Sequence, residues 1–136
     1  MLVFFVGLCV LLYPTVSDYV NSMHQTQAIA GYVNTLEGLG KEDYSSLFAA
    51  ADDYNARLNA TPNGFYTPDQ VEGYWETLDV SGTGIIGYID IEKIKVELPL
   101  YHGTDDGVLN VAAGHLEGSS LPVGGKSTHS VLSAHR

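Results

Sequence analysis

The hydrophobic period changes near Gly84, and that change divides the chain. Before it, apolar residues recur at helical spacing; after it, they alternate. Ile85, Gly87, Ile89 and Ile91 alternate with Ile86, Tyr88 and Asp90, which is the period of a strand. Ile94, Val96 and Leu98 alternate with Lys93, Lys95 and Glu97, as in a half-exposed second strand, and Pro99 is expected to end that pattern. Thr104 is placed to cap a short helical turn carrying Val108, Leu109 and Val111. Residues 114–127 are a loop rich in Gly, Ser and Pro. His129 to His135 reads as a third strand, with Val131 on one face and Leu132 and Ala134 on the other. Three strands leave open edges and a half-covered core, so further strands are expected after Arg136.

Upstream, two helices are expected. The first runs from about Ser17 to Leu36, capped by Ser17 or Asp18 and stopped by Gly38 and Gly40. The second runs from about Glu42 to Leu58, with Tyr44, Leu47, Phe48, Ala51, Tyr54 and Leu58 on one face. A short connection makes them an antiparallel hairpin. After the loop NATPNGFY, Thr67, Pro68 and Gln70 sit as a capping box would place them, and Val71, Tyr74, Trp75 and Leu78 form the apolar face of a short third helix.

The chain starts with MLVFFVGLCVLLY, uncharged and strongly apolar. This run is shorter than the ~20 residues a spanning helix needs, and no Lys or Arg precedes it as in a signal peptide. A truncated transmembrane helix, a truncated signal sequence and a buried helix compete. The abrupt apolar start favours the first, with Pro14 marking where the chain leaves the bilayer. The organisation is therefore a membrane segment over residues 1–14, helices over 15–83, and a β-rich segment over 84–136.

Charge and cysteine content exclude whole classes of function. The net charge of −10 comes from 16 acidic and 6 basic residues, and no basic stripe exists to neutralise phosphates, which argues against nucleic acid as a partner. The lone cysteine, Cys9, excludes an internal disulfide and a Cys-rich zinc site. It lies in the apolar run, where a thiol makes a poor nucleophile.

Asp79, Ser81, Thr83, Gly84, Ile86 and Asp90 fall at positions 1, 3, 5, 6, 8 and 12 of an EF-hand-like loop. Positions 3 and 5 are hydroxyls, and a strand rather than a helix is expected to follow, so a calcium-binding module is an alternative with thin chemistry. The five histidines are His24, His102, His115, His129 and His135. No pair has the i, i+4 spacing of a zinc-protease helix, so neither a metal nor a cofactor is expected. His129 and His135 would share one face of a straight strand, but about 20 Å apart at ~3.3 Å per residue. His24 reads as a surface helix residue. His135 ends an apolar strand, where a scaffold can present a general acid or base, although from spacing alone a structural or surface histidine is the leading reading.

Longer motifs add a resemblance. GYIDIEKIKVELPLYHGT, then GHLEGSSLPVGG, then THSVLSAHR together resemble the first part of the catalytic domain of a class C (pilin) sortase, and LYPTVSDYVN resembles that family's N-terminal region. The resemblance implies a membrane-anchored enzyme outside a Gram-positive cell, with a closed β-barrel preceded by helices. It implies a cysteine transpeptidase that cleaves an LPXTG-like sorting signal and joins the acyl group to a pilin lysine amine. Its partners would be LPXTG-type pilin or surface proteins and the membrane. The family's catalytic histidine falls on His135, and its cysteine and arginine would lie beyond Arg136, so the 136-residue chain is expected to be an inactive fragment. His102 and His115 recur in the motif loops, with a structural hydrogen-bonding role expected. The chain departs from the family in having Glu92 where proline is usual, and in lacking an Asp-Pro-aromatic lid motif between Asn59 and Trp75. A sortase of another class, anchoring proteins to peptidoglycan, is the alternative enzyme.

Overall fold

The computed structural model describes residues 1–135; Arg136 lies outside the described residues. Helix α1 spans Leu2–Glu37 and α2 spans Lys41–Ala60. Strands β1 (Ile85–Ile91), β2 (Val96–His102), β3 (Ala113–His115) and β4 (Leu132–Ala134) form one sheet in that order, with the short helix α3 (Asp106–Leu109) between β2 and β3. β1 and β2 are antiparallel, β2 and β3 parallel, and β3 and β4 antiparallel. The described strands form an open part of a sheet, and helical residues outnumber strand residues.

The first helix differs from expectation. The apolar run and the helix expected from Ser17 are one continuous helix, which passes through Pro14. A proline inside a helix removes one hydrogen bond, and long helical stretches on both sides carry the helix past that loss. The apolar residues from Met1 to Met23 are largely exposed, and α1 is the one helix among the described residues long and apolar enough to cross a membrane. Only its C-terminal part docks. Ile29 and Tyr32 are buried, the Tyr32 hydroxyl donates to the Ile86 carbonyl at 3.2 Å, and the Gln25 amide donates to the Val111 carbonyl at 2.7 Å.

Helix α2 starts at Gly40, where Asp43 accepts the Gly40 N–H at 2.8 Å. Its Ala51, Tyr54 and Leu58 pack on Val71, Tyr74 and Leu121, all from loops. A second cluster of Ile86, Leu100 and Ala113 lies on the sheet, and Leu78 touches both. The two helices are thus joined by a short turn yet bury their apolar faces against different partners, α1 on the sheet and α2 on the loops. Asn55 ties α2 to the loop between β3 and β4: its amide donates to the Leu121 carbonyl at 3.2 Å and its oxygen accepts the Leu121 N–H at 2.7 Å.

Further expectations fail. The third helix is only a 3₁₀ turn, Pro68–Gln70, and Thr67 makes no cap. Gly73, at φ +92°, turns the chain away from helix before Tyr74, which leaves Tyr74 buried and Trp75 half exposed. Pro99 does not end a strand; it lies within β2, paired with Tyr88. β3 joins the other edge of β2 only from Leu100 onward, so Pro99 sits where that edge is open and its missing N–H breaks no ladder. Ile94 falls in a 3₁₀ turn before β2, and α3 is capped by Asp105 rather than Thr104, with Asp105 accepting the N–H groups of Gly107 and Val108. The last strand is shorter than His129–His135, covering Leu132–Ala134.

The densest part of the interior is polar and aromatic. Tyr74 and His115 are among the largest fully buried side chains. The Tyr74 hydroxyl shares its one proton between His115 Nδ1 at 3.0 Å and the His115 carbonyl at 2.8 Å, while it accepts the Gly103 N–H at 3.1 Å. His115 Nε2 lies 2.8 Å from the Ser120 carbonyl. A carbonyl only accepts, so Nε2 carries the proton and Nδ1 is the acceptor. The backbone comes so close here that a side chain on Gly114 would run into the Gly103 carbonyl. His102 packs edge-on against Tyr74, with centroids 4.7 Å apart, and its ring nitrogens have no partner among the described residues. The expected hydrogen-bonding role therefore holds for His115 and fails for His102.

Burial holds both His102 and His115 below the ordinary histidine range, and His102 is lowered further by His115, against the opposing charges of Asp79 and Glu76. The unfolded chain then binds more protons than the fold once the pH drops below ~6.5. The two rings contribute their full stability above that pH and lose it as the pH falls through the window beneath. Thermal melting should therefore occur at a lower temperature at pH ~5.5 than at pH ~7.5, and His115→Gln should flatten the dependence; equal melting temperatures at both pH values would contradict the assignment. Asn55→Ala should cost about 2–4 kcal/mol in urea denaturation, because a buried donor and acceptor on Leu121 each lose a partner worth about 1–3 kcal/mol. Asn59→Ala, one turn further on the exposed face, should stay within about 0.5 kcal/mol of the parent.

Candidate active site

His135 follows β4 directly, and its position is set by the β3–β4 ladder. Ala113 pairs with Ala134, Gly114 with Ser133, and His115 with Leu132. β3 is fully buried, so it is the fixed member of the pair, and the exposed strand β4 is laid against it. The imidazole of His135 is exposed and lines an open groove of about 510 Å³. α1 supplies one wall of that groove through Asp18, Ser22 and Gln25, and β2 supplies another through Val96 and Leu98.

Such a groove offers an accessible imidazole beside a carboxylate, a hydroxyl and an amide. Those groups can orient a peptide and shuttle a proton. They lack an activated nucleophile: no thiol lines the groove, and Cys9 lies exposed on the bare apolar part of α1 rather than buried. A hydroxyl such as that of Ser22 is a weak nucleophile without a base bonded to it.

The remaining histidines separate clearly. His24 and His129 are exposed, while His102 and His115 belong to the interior. Among the described residues no group of three or more His, Cys, Asp or Glu side chains converges as metal ligands would. The EF-hand-like loop is built differently from a calcium cage. The Asp79 carboxylate accepts the N–H groups of Thr83 at 3.1 Å and Gly84 at 2.9 Å, so it closes its own turn. Asp90, the last residue of the pattern, is exposed in β1 and pairs with Glu97 across the ladder.

A third cluster was not anticipated. Arg57, Asp69, Glu72, Glu76 and Glu117 surround an open depression beside Tyr74 and Trp75. Arg57 pairs with Asp53 at 2.9 Å and donates to the Glu72 carbonyl at 3.0 Å, which ties α2 to the loop before β1. Partial burial, with Asp69 nearby, raises the Glu117 carboxyl above its usual range.

No family model and no curated protein matches the chain. Solved structures do. Sortase C1 from Streptococcus agalactiae is 40% identical, with a TM-score of 0.67, over 80% of this chain and 57% of that one. Sortase C from Streptococcus pneumoniae is 37% identical, with a TM-score of 0.66, over 80% and 55%. Clostridium perfringens sortase C, solved in an intermolecular complex with the C-terminal cell wall sorting signal motif, is 35% identical, with a TM-score of 0.62, over 81% and 52%. The chain therefore spans little more than half the length of these structures. Within that span, the long apolar helix, the second helix and the partial sheet that ends at β4 reproduce the sortase fold as class C sortases carry it.

Proposed function

We propose that this chain is the first part of a class C sortase, a membrane-anchored cysteine transpeptidase that builds covalent pilin polymers on a Gram-positive surface. The observation that carries the reading is the placement of His135, exposed at the end of β4 on an open groove, in a chain 33–40% identical to solved class C sortases. The nucleophilic cysteine and the arginine would be supplied from beyond Arg136. The apolar part of α1 would anchor the protein in the membrane, with the sheet outside the cell.

In this reading the thiolate attacks the Thr–Gly carbonyl carbon of an LPXTG-like signal. His135, protonated, gives its proton to the departing glycine amine as the C–N bond breaks and a thioester forms. The amine of a pilin lysine then attacks the thioester carbonyl. His135 takes the proton lost by that amine, the new amide forms, and the thiolate leaves. The arginine stabilises the oxyanion of each tetrahedral intermediate or holds the signal. The sortase likeness supports a sorting-signal substrate; the acceptor distinguishes pilus assembly from anchoring to peptidoglycan.

In the full-length protein His135→Ala should lower kcat/KM for a sorting-signal peptide by about 10²–10⁴-fold, the usual worth of a positioned acid–base group. Retained turnover would remove His135 from this role. The 136-residue chain alone should not cleave the same peptide, because the thiolate is missing; cleavage above the buffer rate would overturn that statement. With the full-length protein, sorting-signal peptide, a pilin fragment and a peptidoglycan stem-peptide amine supplied together, mass spectrometry should find the lysine isopeptide rather than the peptidoglycan adduct.

A further inference from the structure

β4 is only three residues long, and Leu132, Ser133 and Ala134 are all exposed. A ladder of three pairs with β3 is a weak register device on its own. The connection back to β3, residues 116–131, is too long for a tight turn to set the register either. Yet the register matters, since a slip of one residue would turn His135 to the opposite face.

Hydrogen bonds at the base of the loop supply what the strand lacks. The Ser119 hydroxyl donates its one proton to the Leu116 carbonyl at 2.7 Å. It is then an acceptor, and it takes the Val131 N–H at 3.1 Å, the residue next to β4. The Val131 carbonyl in turn accepts the Leu116 N–H at 2.9 Å. Ser120 repeats the device two residues earlier in the returning chain: its N–H donates to the His129 carbonyl at 2.9 Å, and its hydroxyl accepts the His129 N–H at 3.3 Å. The serines are held by His115, whose Nε2–H points at the Ser120 carbonyl at 2.8 Å and lies 3.2 Å from the Ser119 hydroxyl. Tyr74 pins the other side of the same ring.

We propose that Ser119 and His115 form a register clamp that fixes the face of β4 on which His135 stands, so that both are positioning residues for the acid–base group. This rests on the reading of His135 given above. Neither residue touches the groove; they act through Val131 and the β3–β4 ladder.

The test uses the full-length enzyme and two readouts. In Ser119→Ala, amide exchange at Val131 and Ala134 should quicken, and kcat should fall by about 10–100-fold with KM nearly unchanged, as misplacement of about 1 Å at a catalytic group predicts. His115→Leu should behave the same way. His115→Gln, whose side-chain amide can still donate toward Ser120, should recover most of the loss at temperatures where every variant is folded. A clamp that serves only stability would lower the melting temperature and leave kcat of the folded enzyme intact, and that result overturns the proposal. Unchanged Val131 and Ala134 exchange in Ser119→Ala overturns it as well, even where activity cannot be compared. If His135→Ala proves fully active while those amides still quicken, the catalytic reading fails and the clamp stands as a register device alone.

Discussion

The buried imidazole of His115 is the contact on which most of the described structure depends. Removing a histidine ring from water is costly unless both nitrogens find partners. His115 meets that condition with groups from two other segments, the Tyr74 hydroxyl on Nδ1 and the Ser120 carbonyl on Nε2. Tyr74 extends the bond by accepting the Gly103 N–H beyond the end of β2. One ring therefore joins the loop after α2, the turn after β2, the end of β3 and the loop that returns as β4. The direction of every bond follows from the neutral Nε2–H form, and burial favours the same neutral form. His102, a neighbour in the same aromatic group, differs because it contributes packing without a hydrogen-bonded partner.

That arrangement explains why short strands suffice. β3 and β4 have three residues each, too few for a ladder to hold by itself. The side chains at the ladder's base supply the missing constraint, and Asn55 holds the far side of the same loop through Leu121. The loop GHLEGSSLPVGG is thus a structural part of the sheet. Gly114 and Gly118 serve close approach of the backbone, to Gly103 and Phe65, and Ser119 and Ser120 serve main-chain hydrogen bonding.

Much of the plan was legible in the sequence, and what was hidden has a common cause. The switch from a period near 3.6 to a period of 2 located β1 from Ile85 to Ile91, and the stripe through Ala51, Tyr54 and Leu58 located α2, since those patterns record local geometry. Pro14 and Pro99 misled because a proline's local preference was outweighed, by helix on both sides in one case and by an open strand edge in the other. Tyr74 looked like one member of a helical apolar stripe. Its partner is 41 residues away in sequence, and no local spacing reports such a bond. His135 could be singled out only through motif resemblance, because an exposed imidazole carries no periodic signal, and the clamp beneath it was invisible for the same reason as Tyr74.

Helix α1 connects the two environments that the proposed function requires. Its N-terminal residues are bare and apolar, and its C-terminal residues Ile29 and Tyr32 are buried on the sheet. Between them lie Asp18, Ser22 and Gln25, which line the groove that holds His135. At ~1.5 Å per residue, Asp18 to Gln25 stand roughly 8–18 Å along the helix from Tyr13, the end of the uncharged apolar run. With that run in a bilayer, the groove stands within about 20 Å of the headgroups, and a continuous helix sets the distance. Pro14 falls at this boundary, and because the helix passes through it unbroken, the height of the groove is fixed by helical rise rather than by a flexible linker.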